Sequence, residues 1–160
     1  PEECAKIEGE GVLLLDSGGQ YLDGTTDITR TVWVGNPANI PAAVKRDYTA
    51  VLKGHIALAC ARFPKGTRGN QLDVLARQFL WAEGMTYGHG TGHGVGIEIH
   101  ELPNLSPRSD AILQVGNVVT VEPGIYIPGK GGVRIEDTVV LTENGARALN
   151  GVKKQLIEIV

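Results

Sequence analysis

The chain has 160 residues, 42% hydrophobic and 21% charged, with a formal net charge of −3. That length suits one domain with a real core, and the mildly acidic balance gives no sign of a nucleic-acid partner. The apolar run Val12–Leu15 is too short to span a bilayer, the polar opening "PEECAKIEGEG" is no signal peptide, and Cys4 and Cys60 are too few for a disulfide framework, so a reducing cytoplasm is the expected location.

In chain order, Gly11–Gly35 reads as two β-segments around the glycine-and-polar stretch Ser17–Thr26. The second segment, "DITRTVWV", alternates and is rich in β-branched residues. The pattern then switches to helical spacing. Val44, Tyr48, Val51, Leu52 and Ala59 share one side, Pro41 sits near the first turn and Pro64 stops the run. A second helix follows in "NQLDVLARQFLWAEG", with Asn70 as N-cap, Gly84 as terminator, and Leu72, Leu75, Ala76, Phe79 and Leu80 as its buried stripe. A loop is expected over "ELPNLSPRSDAILQ". Beyond it "NVVTVEPGIYIP" and "GGVRIEDTVVLT" predict two strands separated by the tip "GKGG", and the Asn-Gly pair of "TENG" predicts a tight hairpin turn. The tail "VKKQLIEIV" fits either a short helix or a strand. Helices are thus bracketed by an Asp-bearing hairpin and a Glu-bearing strand pair, an echo too weak in identity to be a repeat.

Four carboxylates stand on or beside these strands. Asp16 ends the first β-segment and Asp27 begins the second, so pairing of the segments brings both toward one end of the hairpin. Glu122 closes "VVTVE" just before Pro123 breaks the strand. Glu136 lies inside an apolar strand, with Arg134 two residues back and on the same face. Singly, each has an ordinary explanation: Asp is a regular turn former, and Arg134 neutralises Glu136. Together they are harder to dismiss, because a buried carboxylate must be paired or must bind a cation.

The stretch Gly88–Glu101, "GHGTGHGVGIEIHE", holds three of the four histidines. The alternating glycines argue against a helix, the acid is not placed as in HExxH, and glycines of a single parity do not make GxGxxG. What remains is an extended stretch whose histidines point into a site and whose bare backbone leaves room for a substrate and cations. Any one of these histidines serves equally well as a hydrogen-bonded structural group. His55, alone on the first helix, reads as structural. Two Asp, two Glu and one His form an oxygen-rich set whose charge one divalent ion cannot balance and two can. Such donors suit manganese, cobalt, iron(II) or zinc better than copper.

Four blocks in this order, "LLLDSGGQYLDGTTDITRTVWVG", "GHGTGHGVGIEIHE", "SPRSD" and "VVTVEPGIYIPGKGGVRIEDT", resemble the catalytic domain of the proline-directed metallopeptidases with the pita-bread fold. This is the group of Xaa-Pro aminopeptidase (aminopeptidase P) and prolidase. The first block looks most like aminopeptidase P, and the others fit both. The resemblance implies an α+β fold, a curved and mostly antiparallel sheet with helices on its outer face, present here as a single partial domain over residues 1–160. It implies that Asp16 chelates one ion, Asp27 and Glu136 bridge two, and His93 and Glu122 hold the other, with Glu122 also the general base. It implies that His89 and His100 hold the substrate carbonyl and steady the tetrahedral intermediate, while Arg134 orients a ligand. The ions are expected to be Mn2+, with Co2+, Zn2+ and Fe2+ as alternatives, and the substrate a peptide with proline second. No nucleic-acid or membrane partner is expected, and self-association is left open.

The family's separate N-terminal domain and the early part of its catalytic domain, with a further substrate-contacting histidine, have no counterpart here, and the chain opens without Met. It therefore reads as a piece cut from a longer protein, to which the activity belongs. The first reading is an Xaa-Pro aminopeptidase and the second a prolidase; methionine aminopeptidase fits "DGTTDITRT" and "GVRIEDT" less well. A reading from another class is a non-catalytic pita-bread binding module, but such relatives lack some of the ligands, and here all are present.

Overall fold

The computed structural model describes residues 4–159. β1 (Gly11–Tyr21) and β2 (Gly24–Val34) form an antiparallel hairpin closed by Leu22 and Asp23 alone. The stretch Ser17–Thr26 is therefore ladder on both sides of that two-residue turn. Its polar side chains face water or neighbouring carbonyls, as when Thr25 and Gln20 both donate to the Ile97 carbonyl, and so they do not mark a turn. β10 (Ile157–Ile159) adds in parallel to the other side of β2, which resolves the tail as a strand.

After a short 3-10 turn at Pro37–Asn39, α1 runs Ala42–Ala59 and α2 runs Gly69–Trp81. The start of α2 differs from expectation. Arg68, and not Asn70, is the N-cap, because the amides of Gly69 and Asn70 donate to the carbonyls of Ala111 and Ser109 at 3.0 and 2.9 Å and need no side-chain cap. The expected stripe packs inward, and Asp73 and Arg77 are buried beside it.

The main sheet has the order β4-β3-β5-β8-β9, with β3 at Gly92–Gly94, β4 at Glu101–Leu105, β5 at Val118–Val121, β8 at Asp137–Thr142 and β9 at Gly145–Ala148. The segment expected as a loop thus contains strand β4. The hairpin turn of "TENG" lies between β8 and β9 as expected. β6 (Gly124–Ile127) and β7 (Gly131–Arg134) pair only with each other. Each of the two strands expected in the second half is therefore broken in two, with Glu122 at one break and Glu136 at the other. Pro123 has no N–H for the ladder, and the Glu136 amide donates across to the Thr29 carbonyl of β2 at 3.0 Å.

Both helices pack on this framework over two apolar clusters. One joins Leu58, Leu72 and Leu105 with Val119 and Val139; the other joins Tyr48, Val51 and Leu80 with Ile125 and Ile135. Burying each such side chain contributes about 1.5–3 kcal/mol, and this holds the seam where β2, β5 and β8 approach one another. Cys4 and Cys60 are free and exposed. Among the described residues no helix is long and apolar enough to cross a membrane.

Candidate metal centre

Three elements distant in sequence meet at that seam. Asp27 comes from β2, His93 from β3 and Glu136 from the break before β8, and one ligand atom from each lies within 4.8 Å of the others. Asp27 and Glu136 are 8% and 1% exposed. His93 Nδ1 lies 3.0 Å from the Gly94 carbonyl, and a proton there turns Nε2 toward the acids. That nitrogen stands 3.3 Å from Glu122 Oε1 and 3.6 Å from Asp27 Oδ2.

The hairpin register pairs Asp16 with Thr29 and Gly18 with Asp27. Both aspartates therefore share one face of the ladder, in mid-strand and not at segment ends. Asp16 is half exposed and is held by the Arg134 guanidinium. Arg134 does not neutralise Glu136. Its other nitrogens donate to the Tyr126 hydroxyl at 3.0 Å and to the Thr29 hydroxyl at 3.3 Å, the same hydroxyl that serves Glu136, so the two residues share a face as alternation predicts but meet through Thr29 and not directly.

The acids consequently sit together with little to neutralise them. Burial first, and then their neighbours' charges, push Glu122 up to about 7 and Glu136 up to about 8. Asp27 is raised by burial and then by Asp16. Hydroxyls give the side-chain support: Thr29 donates to Glu136 at 2.6 Å and Thr120 to Glu122 at 3.2 Å. Buried oxygens of this kind fit a hard divalent cation.

A cleft of about 650 Å³ opens over the group, lined by His89, His93, His100, Asn104, Glu122 and Arg134 among others. His100 is exposed, its ring edge-on to His93 with centroids 4.4 Å apart. His89 Nδ1 donates to the Gly90 carbonyl at 2.6 Å, and Nε2 meets the Tyr126 hydroxyl at 2.8 Å. Burial lowers its pKa, consistent with a neutral ring accepting that hydroxyl.

The bare backbone of this stretch has a second use beside the expected one, for Gly90 and Gly92 do line the cleft. A Cβ on Gly92 would strike the Thr120 carbonyl of β5, and one on Gly94 would meet the Leu102 and Glu101 carbonyls of β4 at 2.5 and 2.7 Å. These glycines let β3 fit between two backbones, and the room for a ligand lies on the side of the histidines. Thr29, Thr120 and Tyr126 escaped the sequence reading, although Thr29 and Thr120 stand two residues from Asp27 and Glu122 and share their faces by alternation. His55 is fully buried against the Val121 carbonyl and Asp137, the structural place expected for it.

Residues 1–143 match the metallopeptidase family M24. The chain is 53% identical over 147 residues to a probable Xaa-Pro aminopeptidase P of Leptosphaeria maculans, covering 88% of this chain and 24% of that protein. Among solved structures it superposes on an Xaa-Pro dipeptidase of Bacillus anthracis with a TM-score of 0.85 and 42% identity, over 92% of this chain and 41% of that one. It also matches an X-prolyl aminopeptidase of Caenorhabditis elegans, described as a cytosolic enzyme with a di-nuclear active site, with a TM-score of 0.75 and 49% identity, over 81% of this chain and 21% of that one. The chain thus spans about a quarter of the length of the curated relatives it matches. The α+β architecture it shares with these structures is that of the pita-bread enzymes, present in part. The chain belongs to metallopeptidase family M24.

Proposed function

We propose that Asp16, Asp27, His93, Glu122 and Glu136 hold two divalent cations, and that the protein carrying them is an Xaa-Pro aminopeptidase. The observation that supports this most is the meeting of Asp27, His93 and Glu136 within 4.8 Å, beside Glu122, where among the described residues Glu136 receives the Thr29 hydroxyl and no ion pair. An oxygen-rich set with one imidazole suits Mn2+, with Co2+, Zn2+ or Fe2+ as alternatives. Bound there, a pair of such ions supplies Lewis acidity and a water nucleophilic at neutral pH.

The chain's own groups divide the remaining work. Glu122, partly open to the cleft, accepts the proton of the attacking water and returns it to the leaving nitrogen. That nitrogen belongs to proline and carries no hydrogen, so it leaves as a neutral amine only after taking this proton. His100 faces the cleft as a donor to the scissile carbonyl. His89 joins it from the same wall of the cleft, its ring held by the Nδ1 bond to the Gly90 carbonyl with Nε2 beside the Tyr126 hydroxyl. Arg134 holds Asp16 in place.

Identity of about one half to proteins named Xaa-Pro aminopeptidase P favours this reading over a prolidase, which the likeness to dipeptidase structures supports as the second. The cytosolic relative supports a cytoplasmic location. The deciding experiment compares Xaa-Pro dipeptides with Xaa-Pro-Yaa tripeptides as substrates of the full-length protein with Mn2+. Tripeptide cleavage is expected, and confinement to dipeptides would replace the first reading by the second. A protein that neither hydrolyses peptides nor takes up metal would be a binding module.

A further inference from the structure

Helix α2 buries an ion pair that has no part in the roles above. Asp73 and Arg77 are 2% and 4% exposed and meet at 2.6 Å across one helical turn. A pair withdrawn this far from water contributes little to stability by itself, since desolvation offsets the attraction. Its other contacts are more telling. Arg77 donates to the Tyr87 carbonyl at 2.8 Å and to the His89 carbonyl at 2.7 Å, and its guanidinium stacks 3.9 Å from the centre of the Tyr87 ring. The second oxygen of Asp73 accepts the Thr91 hydroxyl at 2.5 Å, and that hydroxyl meets the Tyr87 hydroxyl, also at 2.5 Å. The Thr91 carbonyl in turn receives the Glu122 amide at 2.8 Å. Residues 87, 89 and 91 are thus fastened to one face of α2, and His89 is the member whose side chain lines the cleft.

We propose that Asp73 and Arg77 are positioning residues that fix the backbone at His89 and so aim its imidazole into the cleft. This rests on the reading of His89 as a substrate-contacting group. Arginine is required because a planar fork reaches the carboxylate and two carbonyls in fixed directions; lysine keeps the charge but not the geometry.

The test is a double-mutant cycle on the full-length protein with Mn2+, measuring tripeptide hydrolysis, bound manganese and Tm for Arg77→Lys, His89→Ala and the double variant. Arg77→Lys is expected to lower kcat by about 10–100-fold, the range for lost supporting contacts, with bound manganese unchanged. In the His89→Ala background the same change is expected to cost less than about 2-fold, because residues acting as a unit are not additive. An equal cost in both backgrounds, a parallel loss of manganese, or no cost at all overturns the proposal. Should Arg77→Lys fail to fold, Thr91→Val cuts the ties of residue 91 to Asp73 and to the Tyr87 hydroxyl while leaving Arg77 in place, and a loss that vanishes in the His89→Ala background is again expected. If His89→Ala retains full turnover, the functional reading of His89 fails. Positioning itself is then decided by a crystal structure of Arg77→Lys: an imidazole displaced by on the order of 1 Å upholds it, and an unmoved one overturns it.

Discussion

Glu136 and Asp137 are consecutive residues, both withdrawn from water, and the protein treats them in opposite ways. Glu136 faces Asp27 and His93 and receives one hydroxyl, from Thr29. Asp137 faces the other side, where Arg30 at 2.6 Å, Lys154 at 2.5 Å, His55 at 3.2 Å and Asn150 at 3.1 Å surround it. The alternation of β2 serves both, sending Thr29 to one and Arg30 to the other. Burial raises a carboxyl, and together with the charges of Glu122, Asp27 and Asp16 it lifts Glu136 to about 8. At Asp137 the same effect is outweighed by hydrogen bonds from His55, Lys154 and Arg30, which hold the acid well below its usual range. The supply of donors, not burial, separates the two. Asp137 is satisfied within the chain, whereas Glu136 receives one hydroxyl and is the acid proposed to take a cation from solution.

The largest break in this comparison comes from Asp137→Asn, which strands Arg30 and Lys154 without their counter-charge. Thermal or denaturant unfolding should show a loss of about 3–5 kcal/mol; a change within experimental error would mean the cluster is not the fastening described. Glu136→Gln should act the other way round. It mimics the protonated acid, so stability without metal is kept, while metal affinity falls by about 10–100-fold or more and activity is lost. Near-normal turnover in that variant would contradict the proposed bridge.

The contrast also fixes a pH dependence. Glu122 and Glu136 titrate in the folded protein at about 7 and about 8, above the ordinary 4.5. The native state therefore keeps protons that the unfolded chain releases, and metal-free stability falls as pH rises from about 4.5 toward 8. Asp137, shifted down, contributes fully throughout that window and loses its contribution only in stronger acid. Melting curves of the metal-free protein should show Tm declining from pH 5 to 8, and saturating Mn2+ should flatten the decline. A metal-free Tm that climbs over this interval would refute the account of the two glutamates. The smallest effect is expected from Thr29→Val, which removes the donor to Glu136 at a cost of about 0.5–1.5 kcal/mol in folding; a loss as large as that of Asp137→Asn would erase the distinction between the two sides.

Much of this was legible in the sequence. Periodicity locates both helices, and of the five residues grouped as ligands Asp27, His93 and Glu136 meet within 4.8 Å, with Glu122 against His93 and Asp16 half exposed on Arg134. The failures have physical causes. "ELPNL" falls in a segment expected as a loop, yet it forms β4, an edge strand, where the missing N–H of Pro103 is tolerated. Parity places Arg134 on the face of Glu136, as found, but the guanidinium is taken up by Asp16 and the Tyr126 hydroxyl and reaches Glu136 through the Thr29 hydroxyl, contacts that no local pattern encodes. Asp73 and Arg77 were passed over because charges four residues apart on a helix usually face water.

The raised acids around His93 are proposed to form a cation site, and equilibrium dialysis of the metal-free full-length protein against Mn2+ at neutral pH, followed by metal analysis, decides whether they do. Two ions per chain are predicted, with marked loss in Glu136→Gln. No uptake, or uptake indifferent to that substitution, would contradict the account.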